Sequence, residues 1–411
     1  MIEWLQGRGR HNSPDRSEGT RLPQIGIIDE VDPLKVAAIW GPVGAEAVLA
    51  QLHPTDVSLF HGSMNVIEAR REAFDFEAAL REAGVKVVRV RDRLAEVLPP
   101  LKLDFEQVFS AMVAKADGVK SQFGRQGDCR GLIEELLRQD VAAYGEQQAL
   151  ALNWHLSVVP PIPLGNVMYA RDQMNVLFDW RVKAAMARPI RGPEVALYDR
   201  VYEEILPSGN GVVSMRNSET FEGGDAYIHD GTVYIGVGAR TTFGAALHIY
   251  EALREDLEQW GYKFVIVEDT DFKSRPAQEQ MDFMHLDTFS NPIGRKQIAV
   301  CAREAARRMV TVISSDSEGH IRLQRTGKSF LEYLEAQGDR IVDVPPEEQR
   351  NFGCNFLTVN PGLIFVPTAQ NGTTNRLLEA AGKRVVHVPL EESTKGWGAA
   401  HCMTGQLRRG G

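Results

Sequence analysis

The sequence predicts an α/β fold in which several copies of one small unit pack around a centre, leaving the chemistry at the hub. A unit of strand, turn, strand, helix and returning strand recurs along the chain, recognisable from apolar runs and turn signals. Such a unit cannot cover its own sheet, so neighbouring copies must bury it. With 411 residues, 43% hydrophobic and 25% charged, the chain carries enough apolar material for that core. An open mixed sheet is the alternative that the irregular spacing leaves standing.

Residues 1–24 are polar from Gly7 onward, with Arg8, Arg10, Asp15, Arg16 and Glu18 among glycine, serine and proline, and read as a flexible tail rather than a targeting peptide. The domain expected to carry the chemistry runs over 25–411. Its first copy of the unit takes Gly26 to Trp40, a helix ending near Ala83, and the strand Val85 to Val90. From Leu94 to Leu152 the β-rich runs stop, and Phe105, Val108, Met112, Leu132, Leu136 and Leu137 fall at helical spacing. Residues 94–152 are therefore expected as a helical insertion: a lid, an oligomer surface or an inert elaboration, with homo-oligomerisation left open.

Two later copies are cleaner. Ala226 to His229 and Thr232 to Val237 flank the turn Asp230-Gly231, then a helix from Thr242 to Gln259 leads to Lys263 to Val267. Phe356 to Val359 and Leu363 to Val366 flank Asn360-Pro361-Gly362, followed by a helix at Asn375 to Ala381 and a strand at Arg384 to Val388.

The formal charge of −9 argues against a nucleic-acid footprint, which should be basic, and favours small cations. Cys129, Cys301, Cys354 and Cys402 are scattered without Cys-x-x-Cys spacing, so neither a disulfide framework nor a thiolate zinc site is indicated and a reducing cytoplasm is the expected setting. No apolar run approaches the length of a membrane span.

Four segments carry candidate chemistry. Cys402 follows the small-residue run Gly396-Trp397-Gly398-Ala399-Ala400-His401, which would let a substrate reach the sulfur. A lone cysteine is otherwise a small buried hydrophobe. Glu222-Gly223-Gly224-Asp225 places two carboxylates around paired glycines at a hairpin start, where the backbone can approach a ligand closely. His285-Leu286-Asp287, read as a strand, points imidazole and carboxylate to one face; a surface or partnered histidine is the bland alternative. Arg171-Asp172 follows an apolar, proline-rich stretch and alone is an ordinary ion-pairing dipeptide. Gly236-Val237-Gly238 lacks the third glycine of a dinucleotide loop, since Thr241 stands there.

Together Asp172, Glu222, His285, Asp287 and Cys402 supply a thiol, an acid/base and several carboxylates. Carboxylates repel a thiolate unless a cation sits between them. A guanidinium has the right charge and planar donor edges for that place.

With these residues in order, the sequence resembles the arginine deiminases of the guanidino-group modifying (pentein) superfamily, from about Gln24 to Arg408. The motifs are Arg171-Asp172, Glu222-Gly223-Gly224-Asp225, His285-Leu286-Asp287-Thr288 and Cys402-Met403-Thr404 with Leu407 and Arg409. The resemblance implies a five-module α/β propeller, no metal and no organic cofactor, a small cationic guanidino substrate, and neither nucleic acid nor membrane as partner. It implies that Cys402 attacks the guanidinium carbon, His285 protonates departing ammonia and then activates water, Glu222 holds His285, and Asp172 and Asp287 grip the guanidinium nitrogens. L-Arginine would become L-citrulline through a covalent thiouronium. At the substrate's far end it implies Asn166, Arg191 and Arg240, whereas Trp397 stands at the family's arginine position and Gln173 and Gln406 at prolines. A sister amidinotransferase, suggested by His401-Cys402 and Leu407-Arg408-Arg409, a guanidine dihydrolase and a silent guanidine sensor are the competing readings.

Overall fold

The computed structural model describes residues 26–206 and 211–410, so the expected tail at 1–24 lies outside the described residues. The repeat is present as five small sheets in a mixed α/β arrangement. Every sheet contains the same core: a first strand antiparallel to a second, and a third strand parallel to the second.

The third unit shows how the sequence builds this. Ala226–His229 and Thr232–Val237 pair antiparallel. Their turn, Asp230-Gly231, takes positive φ at both residues (49° and 75°), the two-residue hairpin geometry whose twist matches the flanking strands. A parallel partner must then be reached by a crossover, supplied by the helix Phe243–Trp260. Thr242 caps it by accepting from Ala245 N, Gly261 ends it in the left-handed region, and Ala245, Ala246, Ile249, Tyr250, Leu253 and Leu257 bury its inner stripe. Lys263–Glu268 completes the unit, and Met309–Ser315 and Ile321–Ser329 extend its sheet.

The second unit is Met174–Leu177, Trp180–Lys183 and Val212–Ser214. The fourth is Ser290–Gly294, Gln297–Val300 and Arg340–Asp343, and the fifth is Leu357–Asn360, Leu363–Val366 and Arg384–His387. The first unit corrects the sequence reading. Leu34–Ile39 has no hairpin partner within Gly26 to Trp40; its antiparallel neighbour is Gly405–Arg409, from the other end of the chain. Its parallel neighbour is Lys86–Arg89, after the helix Val66–Glu82.

Hydrogen bonds link each unit to the next. Asn175 Nδ2 donates to Gly223 O and Ala226 O at 2.9 and 2.7 Å, and Tyr227 and Ser290 share a bond of 2.9 Å. Asn291 Nδ2 donates to Cys354 O and Phe356 O at 3.0 and 2.7 Å. Arg409 Nη2 then reaches Thr358 O at 2.7 Å, and Arg171 N reaches Cys402 O at 2.9 Å, returning to the second unit.

Between the first and second units lie the helices Val90–Val97, Phe105–Phe123, Arg130–Tyr144 and Glu146–Asn153, so helix begins ahead of Leu94. Val108, Met112, Leu136 and Leu137 are buried as their spacing predicts, while Phe105 and Leu132 are partly buried against the same core. No helix among the described residues is long and apolar enough to cross a membrane.

Candidate active site

The five units position the chemistry through a shared feature: the segment just ahead of each first strand. Asp172 lies in the short helix Ala170–Gln173 before the second unit, Glu222 before the third, His285 and Asp287 before the fourth, and Cys402 before Gly405–Arg409 of the first. Asn355 takes that place before the fifth. Glu222 is brought in by its glycines. A Cβ on Gly223 would meet Arg171 O at 2.0 Å, and one on Gly224 would meet His285 Nδ1 at 2.7 Å, so no other residue fits without displacing the site.

His285 and Asp287 do not lie on a strand. His285 is extended, and Leu286–Thr288 forms one 3₁₀ turn. Thr288 Oγ1 donates to His285 O at 2.7 Å and Ser290 Oγ to Leu286 O at 2.9 Å, satisfying carbonyls that a ladder would otherwise have paired. Leu286 N donates to Asp225 Oδ1 at 3.0 Å, which ties this turn to the Glu222 segment.

His285, Asp287, Glu222 and Cys402 are each 2% exposed or less. His285 Nε2 lies 3.0 Å from Glu222 Oε2, and its Nδ1 lies 3.8 Å from Asp172 Oδ1. The Cys402 sulfur lies 3.7 Å from Asp287 Oδ2 and 3.1 Å from Asn355 Nδ2. Three buried atoms have no hydrogen-bond partner: Asp172 Oδ1, Asp287 Oδ1 and His285 Nδ1.

Burial disfavours charge throughout, yet the neighbours decide individual groups. For His285, burial is outweighed by Asp172, the Glu222 hydrogen bond and Asp225, which push it up to about 9 and keep it an imidazolium at neutral pH. Glu222 is also buried, but Arg240, His285 and Arg191 hold it well below the usual carboxylate range. Burial raises the Cys402 thiol well above its ordinary value, and Asp287 and Asp172 add to the effect. Burial also lifts Asp225 to about 7.

Of the residues expected at the substrate's far end, Arg191 and Arg240 converge on Glu222, at 3.8 and 3.6 Å. Arg191 is already occupied: it donates to Asp172 Oδ2 at 2.8 Å and to Glu194 Oε2 at 3.0 Å. Arg240 is buried, with Nη2 against the sulfurs of Met281 and Met284 and Nη1 lacking a hydrogen-bond partner. Asn166 donates to Ser58 O at 2.7 Å, and its carbonyl lies 3.5 Å from Arg191 Nη2. Trp397 takes a left-handed φ of 73°, stacks edge-on with His61 at 4.6 Å, and faces outward onto a cavity of about 520 Å³ lined also by Glu279, Asp282 and Arg350.

Sequence reasoning missed a network behind the site. His401 Nδ1 lies 2.7 Å from Asp287 Oδ2, and Nε2 lies 3.0 Å from Glu30 Oε1, so this buried imidazole fixes the carboxylate beside the sulfur. Arg171 Nη2 lies 3.5 Å from Glu30. The adjacency of His401 to Cys402 was the available signal. Asp172, Glu222 and His285 also offer ligand atoms within 4.8 Å of one another. Arg191 and Arg240 lie against the same Glu222 carboxylate, so positive charge already faces one side of this cluster.

The fold is shared with solved structures. Dimethylarginine dimethylaminohydrolase from Pseudomonas aeruginosa, complexed with citrulline, superposes with a TM-score of 0.54 at 14% identity, covering 91% of this chain and all of that one. The inosamine-phosphate amidinotransferase of Streptomyces griseus gives 0.53 at 16% identity, over 94% and 97%. The architecture is thus that of the dimethylaminohydrolases and amidinotransferases. Arginine deiminases of Mycobacterium avium (27% identical over 94% of this chain and 98% of that protein) and Mycobacterium marinum (28%, 94% and 99%) match along nearly their whole lengths. The sequence profile described as arginine deiminase matches residues 57–409, and the chain belongs to the arginine deiminase family, hydrolases of guanidino carbon–nitrogen bonds.

Proposed function

We propose that this chain hydrolyses L-arginine to L-citrulline and ammonia through a covalent intermediate on Cys402. One observation supports this above all: the buried carboxylates of Asp172 and Asp287, each with an oxygen free of hydrogen bonds, both act on the Cys402 thiol, and negative charge so placed suits a cation between them. A guanidinium donates in the plane to both. Arg191 on Asp172 already displays that pairing within the molecule.

The substrate's positive charge offsets the repulsion that Asp172 and Asp287 exert on a thiolate. As the guanidinium enters, the thiol gives up its proton to solvent and Cys402 Sγ bonds to the guanidinium carbon; one carbon–nitrogen bond breaks, and the His285 imidazolium supplies the proton with which ammonia leaves. Neutral His285 next takes a proton from water as its oxygen bonds to the same carbon. The carbon–sulfur bond breaks as the added hydroxyl passes its remaining proton to the released ammonia, giving the ureido product, ammonium and the free thiolate. Glu222 keeps the ring oriented and charged in the first half. Arg240, and Arg191 once it leaves Asp172, hold the substrate carboxylate with Asn166, and Trp397 borders the far end.

The five linked sheets fit a five-module propeller spanning 25–411, with 94–152 inserted between the first and second modules. Four free cysteines suit a reducing cytoplasm. Mass analysis of products from a panel of guanidines, with and without an acceptor amine, tests the reading. Citrulline and ammonia should form from L-arginine in both arms. Amidino transfer to the amine, or two ammonias released from one arginine, would replace it with the transferase or dihydrolase alternative.

A further inference from the structure

Asn355 lies ahead of the first strand of the fifth unit, 47 residues from the nucleophile in sequence, and is buried against it. Its amide has a determined orientation. Oδ1 faces the backbone N–H groups of Ala399 and Cys402, at 3.0 and 3.2 Å, and these groups can only donate. Nδ2 must therefore be on the other side, where it meets the Cys402 sulfur at 3.1 Å and Asp287 O at 3.3 Å. One side chain thus anchors the nucleophile's loop and aims an N–H at the reacting atom.

We propose that Asn355 is a catalytic residue of this site: its Nδ2–H donates to Cys402 Sγ and stabilises the thiolate before attack and again when the carbon–sulfur bond breaks. The inference rests on Cys402 being the nucleophile. The buried carboxylates of Asp287 and Asp172 oppose negative charge on the sulfur, the former from 3.7 Å. Backbone Ala399 is the other group favouring the thiolate, and its N–H is shared with Asn355 Oδ1. A neutral donor whose position is set by two backbone bonds stabilises developing charge without reorganising during the reaction.

Asn355→Asp retains the acceptor for Ala399 N and Cys402 N and replaces the donor with an acceptor; Asn355→Ala removes both functions. The readouts are the rate of Cys402 alkylation by iodoacetamide near pH 8, followed on the Cys402 peptide, and the steady-state constants for L-arginine. In both variants alkylation should slow at least fivefold and kcat fall at least tenfold, with KM changed by less than about threefold. Loosening of the loop alone would expose the sulfur and accelerate alkylation, so a faster or unchanged rate overturns the proposal. If neither variant melts cooperatively, the unaltered protein provides the test. The Asn355 side-chain amide proton should move upfield when alkylation of Cys402 removes its acceptor, and an unmoved resonance overturns the proposal. Alkylation is read without substrate, so a chain that turns over no guanidine would refute the proposed function while leaving this hydrogen bond testable.

Discussion

Two buried ion networks differ in how they treat their carboxylates. Between the first unit and the helices that follow it, Arg91 donates to Asp140 Oδ1 and Oδ2 at 3.2 and 2.8 Å and to Glu46 Oε2 at 3.3 Å. Gly44 N takes Glu46 Oε1 at 2.8 Å, and Asn153 Nδ2 adds a second bond to Asp140 Oδ2 at 2.8 Å. All four oxygens have a donor, as a buried charge needs if it is to be tolerated. At the ends of the unit strands, Asp172 and Asp287 each hydrogen-bond one oxygen, to Arg191 and His401, and leave the other without a hydrogen bond, Asp172 Oδ1 facing His285 Nδ1 at 3.8 Å. The same chemistry serves structure where it is saturated and is open to a ligand where it is not.

Activity should separate the two networks most sharply. Cys402→Ser should abolish turnover and leave the melting temperature unchanged, because a hydroxyl among carboxylates has no comparable nucleophilicity; an assay of citrulline release with a thermal melt checks both. Asp140→Ala, which takes two of the three carboxylate bonds from buried Arg91 and leaves it Glu46 alone, should cost roughly 3 kcal/mol of stability in denaturant unfolding and leave kcat/KM for the folded fraction intact. Asp287→Asn should do the reverse, holding stability while reducing kcat/KM by the roughly 1.5–3 kcal/mol of one charge-assisted bond, about tenfold to 150-fold. Similar losses of stability in both variants would erase the distinction.

The pH profile sharpens it further. His285 is raised from 6.5 to about 9 by its carboxylate neighbours against the pull of burial. Its imidazolium therefore contributes stability that is fully present below about 6.5 and lost as pH rises through about 9. kcat, which reports the substrate-bound site where the guanidinium already favours the thiolate, should fall over the same alkaline range. Glu222→Gln, which removes the charged acceptor, should move that fall toward neutral pH; an unmoved limb would mean another group sets it. The smallest effect is expected at Trp397, where Trp397→Arg introduces a charged donor for the substrate carboxylate and should lower KM for L-arginine a few-fold.

Much of the fold was legible because its signals are local. Asp230-Gly231 between alternating strands and the capped helix after Thr242 specify a unit without reference to the rest of the chain. The first unit was not legible in full, since its hairpin partner, Gly405–Arg409, arrives from the far end and no local pattern names it. In the site, the reactive types were readable as motifs, and the structure gathers them. His285-Leu286-Asp287 was misread as strand because an apolar residue between two polar ones fits a period of two, whereas Thr288 and Ser290 side chains close a turn there. Glu30, His401 and Asn355 act through proximity between units, which spacing along the chain does not record.

The covalent role of Cys402 is tested most directly by acid-quenching His285→Ala protein with L-arginine and mapping its peptides by mass. The variant lacks both the acid for ammonia departure and the base for water; where solvent protonates the departing ammonia in the histidine's place, the account predicts a thiouronium adduct, substrate less ammonia, on the Cys402 peptide alone. An unmodified Cys402 in a variant that still releases citrulline would contradict it.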